Sequence, residues 1–185
     1  MLNIGNLLYN IKNSKVVYYK HKRRDTMSYF TRVFSLAEDF PSLYALCDEL
    51  LEAGFEFATA PGKGESEFEE SDWKSMVFQY DENCKPILLE RNVKGEAGRL
   101  LEEEQQEFLE VLEAMPFSKA QKKAVDILKY SVQIYAFEIQ EDITEKGWDF
   151  LECIMDFLCD ATDGYVQVDE EGIYDKEGKI LIEME

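Results

Sequence analysis

Tyr174-Asp175-Lys176-Glu177-Gly178-Lys179-Ile180-Leu181-Ile182-Glu183 and, much earlier, Tyr80-Asp81-Glu82-Asn83-Cys84-Lys85-Pro86-Ile87-Leu88-Leu89-Glu90 share one grammar. Each is a tyrosine closing one strand, a polar turn opened by Asp, a Lys, and a short apolar run ending on Glu, which spells a β-hairpin. Upstream of each copy the chain shows the same order: an aromatic strand, an amphipathic helix, a glycine stop and a further aromatic strand. The sequence therefore predicts an α+β fold of two βαββ units related by a pseudo-twofold duplication. Its sheet is expected to be mainly antiparallel, with helices on one face. Unit one spans 29–91, a two-helix connector 95–130, and unit two 132–184, together forming one domain over 27–185.

Working outward through unit one, Tyr29 to Leu36 is aromatic and β-branched and reads as a strand. Leu43, Leu46, Cys47, Leu50 and Leu51 follow at helical spacing, Gly54 marks the stop, and Phe55 to Thr59 reads as the next strand. In the connector, Leu101, Phe108, Leu109, Leu112 and Met115 form one stripe, and Ser118 with Gln121 fits a capping box for a second helix. Unit two repeats the plan with Val132 to Ile139, a helix capped near Thr144 whose face runs Trp148, Leu151, Met155, Leu158 and Cys159, a stop at Gly164, and Tyr165 to Val168.

The chain has 185 residues and a formal charge of −19, from 39 acidic and 20 basic side chains. Six basic residues against Asp25 alone give residues 1–26 a charge of +5, which leaves −24 on residues 27–185. Such a body repels nucleic acid and anionic membranes and attracts basic proteins and cationic ligands, so no nucleic-acid partner is expected. Residues 1–26 form a basic N-terminal extension, expected to be poorly ordered. Its Leu2, Ile4, Leu7, Leu8 and Ile11 are the one place where membrane contact is a candidate. No apolar run reaches the roughly 18 residues of a membrane span, and no secretory signal pattern is present, so a cytoplasmic location is expected. Cys47, Cys84, Cys153 and Cys159 show no paired spacing, and three of them sit within apolar helical patterns as small apolar side chains.

His21 is the sole histidine, which removes Ser-His-Asp and Cys-His nucleophile sets and His-based zinc sites. Gly62-Lys63-Gly64 lacks the spacing of a phosphate loop, and no clear helix is expected after it. The acidic turn from Asp169 to Gly172 fails the ligand pattern of a calcium loop. No metal, cofactor or catalytic residue is therefore assigned. Arg32, Glu56 and Glu138 interrupt strands, where alternate side chains meet a packed face, and either line an open sheet face or point to water. Glu65, Glu67, Glu69 and Glu70 ring Phe68, a pattern suited to steering and gripping a basic partner, or to a solvated loop.

In the order of its elements, residues 29 to 184, the chain resembles the GyrI-like small-molecule-binding domains, although it inserts two helices between the units. The resemblance implies a joined sheet with a ligand groove at the seam and capture of a lipophilic cation by aromatics with Glu138 or Glu56. Two functional expectations follow. The first is a non-catalytic acidic cytoplasmic binding protein, of inhibitor or immunity type, for a basic protein, using Glu65, Glu67, Phe68, Glu69 and Glu70. The second is a GyrI-like module for a small cationic or aromatic ligand, using Glu56, Trp73, Glu138, Tyr165 and Gln167.

Overall fold

Val33 and Phe34, adjacent in sequence and both almost fully buried, enter different hydrophobic cores. Successive strand residues point to opposite faces, so this strand is covered on both sides. In the computed structural model, which describes residues 29–96 and 98–184, eight strands form one antiparallel sheet. They are β1 (Tyr29–Ser35), β2 (Ala58–Ala60), β3 (Ser75–Gln79), β4 (Ile87–Val93), β5 (Gln133–Ile139), β6 (Gly164–Val168), β7 (Gly172–Tyr174) and β8 (Ile180–Glu183). Five helices accompany them among the described residues: α1 (Leu43–Glu52), α2 (Ser66–Glu69), α3 (Leu100–Ala114), α4 (Lys119–Tyr130) and α5 (Glu145–Thr162). The basic extension expected over 1–26 lies outside the described residues.

The α+β class and the antiparallel sheet agree with the sequence reading. The expectation of helices on one face does not hold. On the first face, α1 and α5 pack over Val33, Met76, Phe78, Leu89, Tyr135 and Phe137. On the second, α3 and α4 pack over Phe34, Ile134 and Ile173. The inserted helices thus form a layer of their own. The physical reason is the β1 pattern, in which every residue from Thr31 to Ser35 is buried.

The sheet order is β2-β3-β4-β5-β1-β6-β7-β8. A two-fold that exchanged the units would carry β1 onto β5 and β6 onto β2, and so would set β2 beside β5. β4 lies there instead, pairing Leu88 with Glu138 and Val93 with Gln133. The strand order therefore does not display the expected pseudo-twofold: one hairpin sits within the sheet and its look-alike at the edge. What the two stretches share is local. Asp81 accepts from Asn83 N at 2.9 Å, and Asp175 accepts from Glu177 N at 3.1 Å and Lys179 N at 2.9 Å. Each Asp side chain closes its own turn, which needs no common ancestry.

Helix ends follow the sequence more closely. Ser118 Oγ accepts from Gln121 N at 3.0 Å and Thr144 Oγ1 from Gly147 N at 3.3 Å, each satisfying an amide that the first helical turn leaves unpaired. The α5 stop differs, since Asp163 takes the left-handed position at φ 54° and Gly164 opens β6. A Cβ on Gly164 would stand 2.6 Å from Val33 Cγ1, so this glycine lets α5 and β1 close on each other. Phe55 and Phe57 fall before β2 and join Phe78, Tyr80 and Phe150 in an aromatic cluster with ring centroids 5.2–6.1 Å apart. Phe150 touches the other four. Phe150→Ala is expected to cost about 3–5 kcal/mol, the range for truncating a buried aromatic, read as a lower urea midpoint at unchanged slope.

Candidate functional site

On the second face, strand register sets two rows of side chains. Glu90, Ala136, Arg32 and Gln167 lie across β4, β5, β1 and β6, and Leu88, Glu138 and Phe30 lie beside them. The two rows share a face because their residues are two apart along each strand. α3 crosses at one side and brings Glu104 and Phe108 down onto Arg32. Toward β3 the face stays half-open, with Val77, Leu88, Glu90, Ala136 and Glu138 all partly exposed.

Arg32 is 8 % exposed and is held from three elements. Its Nη1 donates to Gln167 Oε1 at 2.8 Å and to Asp169 Oδ1 at 2.5 Å, and its Nε lies 2.7 Å from Glu104 Oε2. Nε itself lacks hydrogen-bond alignment, and the pair's hydrogen bond runs from Nη2 to Glu104 Oε1 at 3.4 Å. The guanidinium also lies 5.2 Å from the Phe108 ring centroid and 5.6 Å from that of Phe30. Burial raises the Glu104 carboxyl above its ordinary range and outweighs the opposing pull of Arg32. Its charge is therefore kept at a cost, which fits a pair whose desolvation offsets its attraction.

Glu90 and Glu138 are diagonal neighbours on β4 and β5. Burial raises the Glu90 carboxyl, and the charge of Glu138 raises it further. Glu138 Oε1 accepts from Gln140 Nε2 at 2.9 Å. Two half-buried carboxylates beside Val77 and Leu88 can receive a lysine or arginine whose methylene stem lies on the apolar floor and whose head meets the acids. α3, on the same face, carries Glu102, Glu103, Glu104, Glu107, Glu110 and Glu113 and no basic residue, with Glu104 held by Arg32 and Glu113 paired with Lys129.

The sequence-derived ligand set is not brought together. Gln167, Tyr165 and Glu138 belong to the second face. Trp73 is 1 % exposed within the first-face core, where its Nε1 donates to Pro41 O at 2.9 Å. Glu56 lies exposed on the segment before β2. Tyr165 lies under Lys123, whose Nζ is 5.5 Å from its ring centroid, and Gln167 is committed to Arg32.

The acidic loop also differs from expectation. Phe68 is 2 % exposed and stacks edge-on against Tyr44 at 4.9 Å, so it is core and not an exposed contact. Its neighbours Glu67, Glu69 and Glu70 remain exposed and Glu65 is half-buried. A short helix, α2, does begin after Gly62-Lys63-Gly64. The loop amides face acids, because Gly62 N donates to Glu65 Oε2 and Gly64 N to Glu69 Oε1, each at 3.3 Å. Carboxylates thus hold the place that a phosphate loop gives to its ligand.

Sequence reasoning missed Arg91, which is 1 % exposed on the first face of β4. Its Nε donates to Trp73 O at 3.0 Å, its Nη1 to Gln133 Oε1 at 3.1 Å, and its Nη2 to Asp72. The guanidinium stacks 3.5 Å from the Phe40 ring centroid, and Gln133 Nε2 in turn donates to Ala37 O at 2.6 Å and Asp39 O at 3.1 Å. This network ties two loops to the end of the sheet. The available signal was an arginine at the end of an otherwise apolar alternation, Ile87, Leu89, Arg91.

Cys47 and Cys159 are buried, and burial pushes their thiols up to about 11 and about 12. Among the described residues no cluster of three metal-ligating side chains occurs, and no helix is long and apolar enough to cross a membrane. A scan against protein-family models found no match, and neither did searches of curated proteins and of solved structures.

Two outcomes are expected. Arg91→Ala leaves the Trp73 carbonyl and Gln133 short of a donor and should cost about 2–4 kcal/mol, measured by urea unfolding. For Glu90, the folded-state affinity for a proton exceeds the unfolded one. The penalty is therefore absent below the ordinary glutamate range and grows as pH rises through the raised folded value. Glu90→Gln should stabilise the protein at neutral pH by ~0.5 kcal/mol after allowance for solvent screening, with the gain vanishing near about pH 4. Paired urea titrations at the two pH values check it.

Proposed function

We propose that this protein is a non-catalytic acidic binding protein of the cytoplasm that engages, and by occupying it inhibits, a basic protein partner. The observation that carries this reading is the acid on the second face of the sheet and on the helix that covers it. α3, whose six glutamates include Glu104 held by Arg32 and Glu113 paired with Lys129, covers part of the sheet face on which burial and the Glu138 charge raise the Glu90 carboxyl. A cation arriving there relieves a repulsion that the free protein carries, so partner charge and local electrostatics act in the same direction. The exposed acids around α2 add long-range attraction, while Phe68, being core, adds no contact area.

The lipophilic-cation reading implied by the GyrI-like resemblance has less behind it. Its aromatic and acidic residues are divided between the two faces of the sheet, and Trp73 is enclosed by its own core. Immobilised full-length protein should retain a basic protein from an extract of its cellular source at low salt and release it at high salt. Glu90→Gln with Glu138→Gln should reduce that retention severalfold, whereas matched neutralisation of Glu145 and Glu152 on α5 should change it little. Equal retention by both variants, or no salt-sensitive partner, would remove the proposal.

A further inference from the structure

The second face of the sheet is only partly covered among the described residues. α3 comes down onto Arg32, while Val77 on β3, Leu88 and Glu90 on β4, and Ala136 and Glu138 on β5 stay partly exposed. Strand register puts Val77, Leu88, Glu138 and Phe30 in one row and Glu90 with Ala136 in the next, so apolar side chains and two carboxylates share one floor. Such a floor suits a segment that carries apolar and basic residues side by side.

The described chain begins at the rim of that floor. Tyr29 pairs with Ile139 and Phe30 with Glu138, so residues 1–28, which lie outside the described residues, are joined to the strand next to Glu138. The stretch leading into Tyr29 holds Val16-Val17-Tyr18-Tyr19 and then Lys20-His21-Lys22-Arg23-Arg24-Asp25, an apolar and aromatic run followed by four cations and a single acid. Neighbouring strands are ~4.8 Å apart, so Glu138 and Glu90 stand about 5 and about 10 Å across the sheet from β1. The five residues from Arg24 to Tyr29 span up to ~17 Å when extended, which brings both acids within reach of the basic run. Charge favours the meeting, with +5 on residues 1–26 against −24 on the rest, and a tethered segment meets the face at about millimolar effective concentration.

We propose that the occupant of this face is the chain's own residues 16–24, with the cations between Lys20 and Arg24 over Glu90 and Glu138, and Val16 to Tyr19 on Val77, Leu88 and Ala136. The inference rests on the cation site of the proposed function and gives it a regulation, since a basic partner must displace a segment of the same chain.

Zero-length carbodiimide coupling of the full-length chain in dilute solution, with the monomer band mapped by mass spectrometry, reads the contact directly. Lys20 or Lys22 should be joined to Glu138 or Glu90, in a yield that falls as salt is raised from about 50 to about 500 mM. Glu90→Gln leaves the Glu138 carboxylate available, and Arg23→Glu with Arg24→Glu leaves both lysines available. Each should nevertheless lower the lysine–Glu138 link about threefold, judged from the worth of a half-exposed ion pair. Circular dichroism confirms that these variants are folded. Links that persist unchanged in both variants would report the tether alone and overturn the proposal, as would links confined to the acids of α2 or α3. A basic partner retained through Glu90 and Glu138 with these links missing removes the segment as occupant and leaves the partner reading standing. Links present with no salt-sensitive partner do the reverse.

Discussion

Covering β1 from both sides is the constraint on which the rest of the structure depends. Thr31 to Ser35 are all buried, and alternate side chains enter two separate cores. A strand so placed requires apolar layers above and below, and a chain of this length has few helices with which to build them. α1 and α5 make one layer and α3 with α4 the other. The insertion between β4 and β5 is therefore the second half of the core, and without it Phe34, Ile134 and Ile173 would lie open to water.

The same arrangement distributes the charge. Acidic residues crowd α3 and the exposed side of α5, and each of the two arginines buried among the described residues is tied to acids and carbonyls at a different end of the sheet. Arg32 joins β1, β6 and α3, and Arg91 joins β4 to the loops around Phe40 and Asp72. Both guanidiniums also lie against aromatic rings, which lowers the cost of removing them from water. Glu90 shares a row with Arg32 but lies two strands away, on the half-open part of the face.

The sequence disclosed local features well and non-local ones poorly. Capping by Ser118 and Thr144 was legible because a cap is decided within four residues. The strand nature of β1 and the turns opened by Asp81 and Asp175 were legible for the same reason. Which sheet face a helix covers is a property of tertiary arrangement, and an amphipathic stripe carries no sign of it. The clue was the adjacent apolar pair Val33-Phe34, which alternation with a solvated face would not produce. Trp73 and Phe68 were read as accessible because polar residues surround them in sequence. In space each lies beneath those residues, within the first-face core. Trp148, expected on the buried side of α5, is 45 % exposed, while Phe150 and Ile154 take its place.

β4 and β5 are neighbours in the sheet although α3 and α4 separate them along the chain, and the root of that excursion is closed by Lys94 N donating to Val132 O at 2.9 Å. The helical pair is thus an oversized hairpin loop. Its detachment would cost its own packing but would leave every rung of the strand ladder in place. Lifting it would nevertheless uncover Phe34, Ile134 and Ile173 and break the Glu104–Arg32 pair, so loop and sheet open together.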